Sequence, residues 1–355
     1  MELDELINGI EPADEAYAAA ARERWDTVAK PLGSLGLLED AVVRIAAAQR
    51  TVHPHIGSRA LAVFAADNGV VAEGVTQCGS GITALGVRNL CHGMASVSRM
   101  TAVAGCDVVP ADVGLAHALP AEDAPGLLER AARRGTNDIA KGPACLRAEA
   151  ETALLAGAEV AALLAGRGCD LLAAGELGIG NTTTSAAVAC ALLDIGPDEA
   201  AGRGSGLTDE GLDRKRAVVA RALATNRPDP SDPLDVLAKV GGLDIASMCG
   251  FYLGAAHHRI PVVLDGLISC VAAVAAVRMA PDARNYLLAS HRSAEPAAHM
   301  LLDELGLTPA IDAGLRLGEG TGAVAFMPLL DMALSVYEGA ATFTQTGMDA
   351  YERLG

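Results

Sequence analysis

With 355 residues, 51% of them apolar, the chain is long enough to bury a large core and too long for one small domain, so a large domain with a smaller appendage is expected. A formal net charge of −17 argues against nucleic acid and anionic membranes as partners, because both ask for a basic face. An aromatic share of only 3% also leaves few platforms on which bases could stack.

The opening MELDELINGI has no basic stretch and no long apolar span, so neither a signal peptide nor a membrane anchor is expected. Two helices follow, DEAYAAAARERWDTVAK and, after a Pro/Gly break, LLEDAVVRIAAAQR. Beyond residue 50, short apolar runs alternate with Ala-rich helical stretches. Strands are predicted at 60–67, 106–114, 169–176, 260–266 and 284–291, and helices at 153–165, 182–194, 214–225, 268–279 and 324–340. The strand candidates are almost continuously apolar, as parallel strands covered on both faces should be. Their alternation with helices implies right-handed crossovers and an α/β fold, a doubly wound, mostly parallel Rossmann-like sheet. Segments 1–30 and 335–355 are expected to form a small helical subdomain, with 31–334 as the α/β catalytic domain. Cys78, Cys91, Cys106, Cys145, Cys169, Cys190, Cys249 and Cys270 are scattered without a C-x-x-C, and read as reduced core thiols of a cytoplasmic protein.

Most strand candidates end in polar, acidic or Gly-rich residues: ADNGV, ADVG, AGELGIGNTT, LDG and ASHRSAE. In open parallel sheets ligands bind outside the carboxyl ends of the strands, so the pattern favours an enzyme or small-molecule binder. In GELGIGNTTTSAA, Gly178 and Gly180 let the backbone approach a ligand, and Asn181 or Thr182 can cap the following helix and aim its N–H groups at a phosphate. A merely well-capped turn would read the same, although Glu176 before it is harder to dismiss. GRGSGLTDEGLDRKRAVV offers Gly204, Ser205 and the cations Arg214, Lys215 and Arg216 as a monophosphate site, or else a surface loop before a solvated basic helix face. Neither stretch is a dinucleotide or nucleoside-triphosphate fingerprint, which disfavours a pyrophosphate ligand with magnesium. In SHRSAEPAAH, His291, Glu295 and His299 do not have zinc-protease spacing and Pro296 interrupts the helix, so no metal is expected. Polar support for the sheet edge is the expected role of these histidines, and His257 and His258 are as well placed for the surface.

LRLGEGTGA, residues 315–323, sets Glu319 between two glycines of a turn that would otherwise suit an anion. Glycosyl transfer reconciles an acid with a phosphate cradle. Displacement at C1 of a ribose passes through an oxocarbenium-like state that a carboxylate stabilises, and a carboxylate can also take the proton of an N–H or O–H nucleophile.

Taken together, ADNGVVAEGVT, GELGIGNTTTSAA, GRGSGL with Lys215 downstream, LDGLIS, SHRSAEPAAH, LRLGEGTGA and an upstream KPLGSLGLLE resemble nicotinate-nucleotide:dimethylbenzimidazole phosphoribosyltransferases, in family order from about residue 30 to 331. The resemblance implies transfer of phosphoribosyl from nicotinate mononucleotide to a cobamide lower-ligand base, with inversion at C1, no cofactor and no metal. It implies Glu319 as general base and Glu176 as an auxiliary acid. Phosphate and ribose contacts fall on Gly178, Gly180, Asn181, Thr182, Gly204, Ser205, Lys215 and Ser293, and the base pocket on Asp67, Asn68, Ser80, Leu85, Leu177 and Leu317. It further implies a homodimer, with a heterodimer of paralogues, one of them catalytically idle, as the alternative. Where many members have a histidine in ADHGV this chain has Asn68, and Gly79, Ser80 and Gly81 replace a Pro-Gln-Glu run. Leu85 stands where a pocket glutamine is expected, so another benzimidazole, a purine or a phenol such as p-cresol is an alternative base. A nicotinamide-dependent oxidoreductase of similar sheet type lacks its dinucleotide fingerprint here.

Overall fold

The computed structural model describes residues 2–352; Met1 and residues 353–355, which fall in the expected helical subdomain, lie outside them. Six strands, β1 (Arg59–Ala66), β2 (Asp107–Gly114), β3 (Leu128–Glu129), β4 (Leu171–Leu177), β5 (Val262–Leu264) and β6 (Leu287–Ala289), form one sheet in the order β3-β2-β1-β4-β5-β6. Every pairing is parallel. This is the doubly wound Rossmann-like order, and the winding reverses between β1 and β4, where such sheets open a crevice at the strand ends.

The alternate faces of the strands explain why these runs read as unbroken apolar sequence. Ala60, Ala62 and Phe64 of β1 and Leu172 and Ala174 of β4 join one core with helices Arg147–Gly166, Asn181–Leu193, Leu243–His257 and Leu267–Met279. Leu61, Val63, Leu171 and Ala173 face a second core with helices Leu37–Gln49, Ser96–Ala104 and Thr321–Gly339. Two layers of helix leave the central strands no wet face. Cys145, Cys190, Cys249 and Cys270 pack as apolar side chains in the first core.

Small residues let the first layer pack closely. A Cβ on Gly157 would lie 1.8 Å from the Ser247 carbonyl oxygen, and one on Gly250 would lie 1.7 Å from that of Leu154. Helices Arg147–Gly166 and Leu243–His257 therefore cross backbone against backbone, which places Asp244, at the start of the second helix, behind the end of β4.

A separate cluster gathers Ala18, Ala21 and Trp25 of helix Glu15–Thr27, Val42 and Ala46 of Leu37–Gln49, and Ala333 and Tyr337 of Thr321–Gly339. Trp25 and Tyr337 meet edge to face with ring centroids 4.9 Å apart, and Val28 bridges to Thr342 across the two ends of the chain. The KPLGSLG segment lies in this region, where Lys30 pairs with Glu39 at 2.5 Å.

The structure differs from the sequence expectation at the sheet edges. β3 is only two residues of a polar stretch, and its run carries no strand signal. The strand predicted at 284–291 shortens to β6 because Pro281–Tyr286 takes a 3₁₀ turn with Pro281 at its start. Among the described residues no helix is long and apolar enough to cross a membrane.

Candidate active site

A cavity of about 310 Å³ opens over the carboxyl ends of β4, β5 and β6, beside the switch point. Its wall includes Glu176, Leu177, Gly178, Gly180, Asn181, Thr182, Gly204, Ser205, Ser293, Leu317 and Glu319, bringing together residues from separate motifs.

Glu176 sits in regular strand, paired in register with Phe64 of β1. Its carboxylate accepts a short hydrogen bond from Asn181 Nδ2, which also donates to Asp244 Oδ2 at 3.1 Å. Asn181 is thus a clamp between two acids and not the helix cap expected from sequence; the N-cap of Asn181–Leu193 is Gly180, in the left-handed region at φ 96°. Burial, then the negative charges of Asp244, Asp265 and Glu319, push the Glu176 carboxyl well above the usual carboxylate range. Burial likewise raises Asp244 to about 6. Gly178 has no room for a side chain, since a Cβ there would lie 2.4 Å from Asp244 Oδ2.

Glu319 is held differently. Gly318, Glu319 and Gly320 have φ of 86°, 61° and 86°, three successive left-handed residues. For a glutamate this conformation is strained, and such strain clusters at functional sites. The turn is pinned from below by Asp265, which follows β5: its Oδ2 accepts from Gly320 N at 3.1 Å, and its Oδ1 accepts from Gly322 N at 2.7 Å and Ala323 N at 3.3 Å. The anion in this Gly-rich turn is therefore an internal carboxylate, set at the N-terminus of helix Thr321–Gly339 where a negative charge is favoured. Glu319 itself turns into the cavity, and its Oε2 accepts from Val97 N at 3.4 Å, at the start of helix Ser96–Ala104. Burial raises its pKa, opposed by the Val97 N–H and reinforced by Asp265. Gly175 lets the loop lie directly on β4, because a Cβ there would come within 2.4 Å of the Glu319 carbonyl.

Lys215 is fully buried, although its neighbours Arg214 and Arg216 stay on the surface side of the same helix, with Arg216 paired to Asp198. Its Nζ donates to Thr182 Oγ1 at 2.9 Å and to the Gly202 carbonyl at 3.0 Å, which joins the two Gly-rich turns. Burial lowers its pKa to about 8 against the pull of Glu295. Lys215 stands behind the wall and reaches the cavity through Thr182 and Gly204.

The expected base-pocket residues divide. Leu177 and Leu317 line the cavity, whereas Asp67, Asn68, Ser80 and Leu85 do not. Asp67 is buried and accepts from Ala116 N at 2.8 Å, tying β1 to the β2 loop. Asn68 is buried under Gly180. Leu85 is 49% exposed because helix Gly81–Cys91 turns Ile82, Thr83 and Gly86 toward the cavity instead. An ungapped reading of the segment therefore selects the wrong face of the helix. A leucine at 85 does not alter the cavity wall.

His291 and His299 do not converge. His291 is buried on the cavity wall, where burial lowers its pKa against Asp265; His299 is exposed on a neighbouring helix. Ser290 Oγ donates to the Leu264 carbonyl at 2.5 Å, so the His291 Nδ1 at 3.0 Å donates to Ser290 and leaves Nε2 free to accept. Among the described residues no three His, Cys, Asp or Glu side chains are grouped so as to hold a metal ion.

Sequence reasoning missed Asp265, Asp244, Arg316, Ile82 and Glu295 as site residues. LDG at a strand end was the available signal for Asp265; nothing local marks Asp244, which reaches the site from the helix Leu243–His257 packed on the sheet's first face.

A Rossmann-like sheet with acids and a buried lysine gathered at its switch point is the plan of an α/β enzyme acting on a small molecule. Comparison with known proteins narrows this. The phosphoribosyltransferase family model matches residues 10–348. The nicotinate-nucleotide--dimethylbenzimidazole phosphoribosyltransferase of Acetivibrio thermocellus is 42% identical over 331 residues, 93% of each chain. The protein of the same name from Thermus thermophilus is 46% identical over 335 residues, 94% of this chain and 99% of that one. The crystal structure of CobT from Thermus thermophilus matches with a TM-score of 0.90 at 45% identity, covering 95% of this chain and 100% of that one. The chain belongs to this phosphoribosyltransferase family.

Proposed function

We propose that the enzyme moves 5-phosphoribosyl from nicotinate mononucleotide to a benzimidazole-type lower-ligand base, releasing nicotinate and an α-riboside 5′-phosphate. The observation that carries this is the convergence of Glu319, Glu176 and the Lys215-backed turns on one cavity. In this reading the phosphate lies against Gly178, Gly180, Thr182, Gly204, Ser205 and Ser293, with Lys215 supplying charge through the Thr182 side. The ribose then lies between the two glutamates, and the base rests on the apolar wall of Ile82, Leu177 and Leu317. The base nitrogen attacks C1 opposite the departing pyridinium nitrogen, so the configuration inverts. Glu319, more basic than an ordinary carboxylate, accepts the base N–H proton as the bond forms and faces the sugar's positive charge. Glu176, whose burial and acidic neighbours favour its protonated form, donates a hydrogen bond to the sugar. The chain is read as a homodimer acting in the cytoplasm, and the packing of helix Glu15–Thr27 against the end of Thr321–Gly339 supports treating the two chain ends as one helical unit.

The wall offers the base mainly apolar side chains, which favours a second reading in which purines or phenols are also accepted. Purified enzyme incubated with nicotinate mononucleotide and a mixture of dimethylbenzimidazole, adenine and p-cresol separates the two by mass spectrometry of the ribosides. A dominant dimethylbenzimidazole product supports the first reading and removes the second. Absence of any riboside phosphate, with nicotinate unreleased, overturns both.

A further inference from the structure

The glycine turn assigned above to phosphate already holds an anion of the protein's own. Glu295 Oε1 accepts from the Gly204 backbone N–H at 3.0 Å, and its own N–H donates to Ser293 Oγ at 3.4 Å. Its Oε2 is buried and has no hydrogen-bond partner among the described residues. That oxygen lies against Gly202, where a Cβ would come within 2.0 Å of it. Glu295 also lies on the cavity wall beside Thr182, Gly204, Ser205 and Ser293, the groups assigned to the phosphate. Among the described residues the charge of Lys215 meets only the neutral acceptors Thr182 and Gly202 directly, and the acid that acts on it through space is Glu295. An unpartnered carboxylate oxygen in a dry site is unfavourable unless something there compensates it, and here that is the buried ammonium.

We propose that Glu295 is an internal competitor of the substrate phosphate, so that phosphate binds by exchange: the Gly204 N–H and the field of Lys215 pass from the Glu295 carboxylate to the incoming anion. No bond is made or broken in this step; the carboxylate rotates out toward the cavity mouth and rehydrates. Glu295 thereby keeps the turn ordered and sets a threshold of charge. A phosphate ester, carrying nearly two charges and three acceptor oxygens, displaces the carboxylate, and a monoanion with fewer acceptors does not. This rests on the assignment of the substrate phosphate to the Gly204 turn.

The test is calorimetric titration of the full-length enzyme with inorganic phosphate, nicotinate mononucleotide and its dephosphorylated riboside, for the wild type, Glu295→Gln and Lys215→Met. Glutamine keeps an acceptor for Gly204 and removes only the charge. Glu295→Gln is expected to bind phosphate and the mononucleotide about tenfold more tightly and the riboside unchanged. If Glu295→Gln does not fold, Glu295→Ala reports with the same sign. Unchanged or weaker phosphate binding in the Glu295 variant, with Lys215→Met clearly weakened, overturns the exchange and leaves the site assignment standing. Phosphate binding indifferent to both substitutions overturns the assignment itself.

Discussion

Two Gly-rich turns enter helices at the same edge of this sheet, and they are built on opposite plans. The turn after β4 takes its order from a side chain, Asn181, that spans two buried acids. Its acid, Glu176, stays in unstrained strand geometry and is pushed toward its neutral form by burial and by three other carboxylates. The turn before helix Thr321–Gly339 is ordered instead by an acid, Asp265, that takes three backbone N–H groups, and its Glu319 is lifted into the cavity on a left-handed backbone. One plan favours the protonated form of its acid by burial among other carboxylates, and the other sets its acid at the cavity with a backbone N–H that favours the charged form.

The sharpest way to break this contrast is to remove each charge while keeping each shape. Glu319→Gln is expected to lose about 10²–10⁴-fold in kcat with KM little changed, because only proton acceptance and transition-state charge are removed. Glu176→Gln copies a protonated acid and is expected to lose far less, roughly tenfold. Steady-state kinetics on both variants decide it, and equal losses would erase the distinction between the two turns.

Asp265→Asn tests the support beneath Glu319. Loss of a charged acceptor for three N–H groups is expected to cost about 1.5–3 kcal/mol in denaturant unfolding. Asp265 raises the Glu319 pKa, so its removal also shifts the acid limb of the kcat profile to lower pH. An unmoved limb would mean that Asp265 acts on the backbone alone.

Lys215 gives a pH signature of opposite sense. Its folded pKa, about 8, lies below the ordinary 10.5, so between these values the unfolded chain binds more protons and stability rises with pH. Lys215→Met is expected to flatten unfolding free energy across that window. An anion bound nearby favours the charged form, so titrations above pH 8 should also take up protons, visible as a buffer-dependent enthalpy.

The smallest effect probes strain. Glu319→Gly relieves the left-handed backbone and is expected to stabilise the fold by about 1 kcal/mol in thermal unfolding while abolishing turnover. A loss of stability would show that the Val97 contact outweighs the strain.

How much of this was readable from the sequence depended on whether the signal was local. The α/β class and the central strands followed from apolar runs that both helical layers keep dry. Glu176, Glu319, Thr182 and Ser205 were legible because each lies inside a motif at the ligand edge. Leu85 failed because one helix position separates a cavity wall from solvent, and no residue type in GITALG marks the difference. Asn181 was legible as a polar residue at a helix start, but its two acceptors are 5 and 63 residues away in opposite directions. Asp265 was visible as a strand-end acid, yet its partners begin 55 residues downstream, where only folding brings them together.

The glycine crossing of helices Arg147–Gly166 and Leu243–His257 has a consequence for variant screens. Gly157 and Gly250 lie outside the cavity wall, yet any side chain there must force apart helix Arg147–Gly166 and helix Leu243–His257, the one that carries Asp244. A saturation library scored by product alone would therefore draw a line of intolerance through the protein's far layer, indistinguishable from catalytic loss. Counting soluble enzyme beside product would separate the two, and would show that part of the map attributed to chemistry records how closely two backbones must lie.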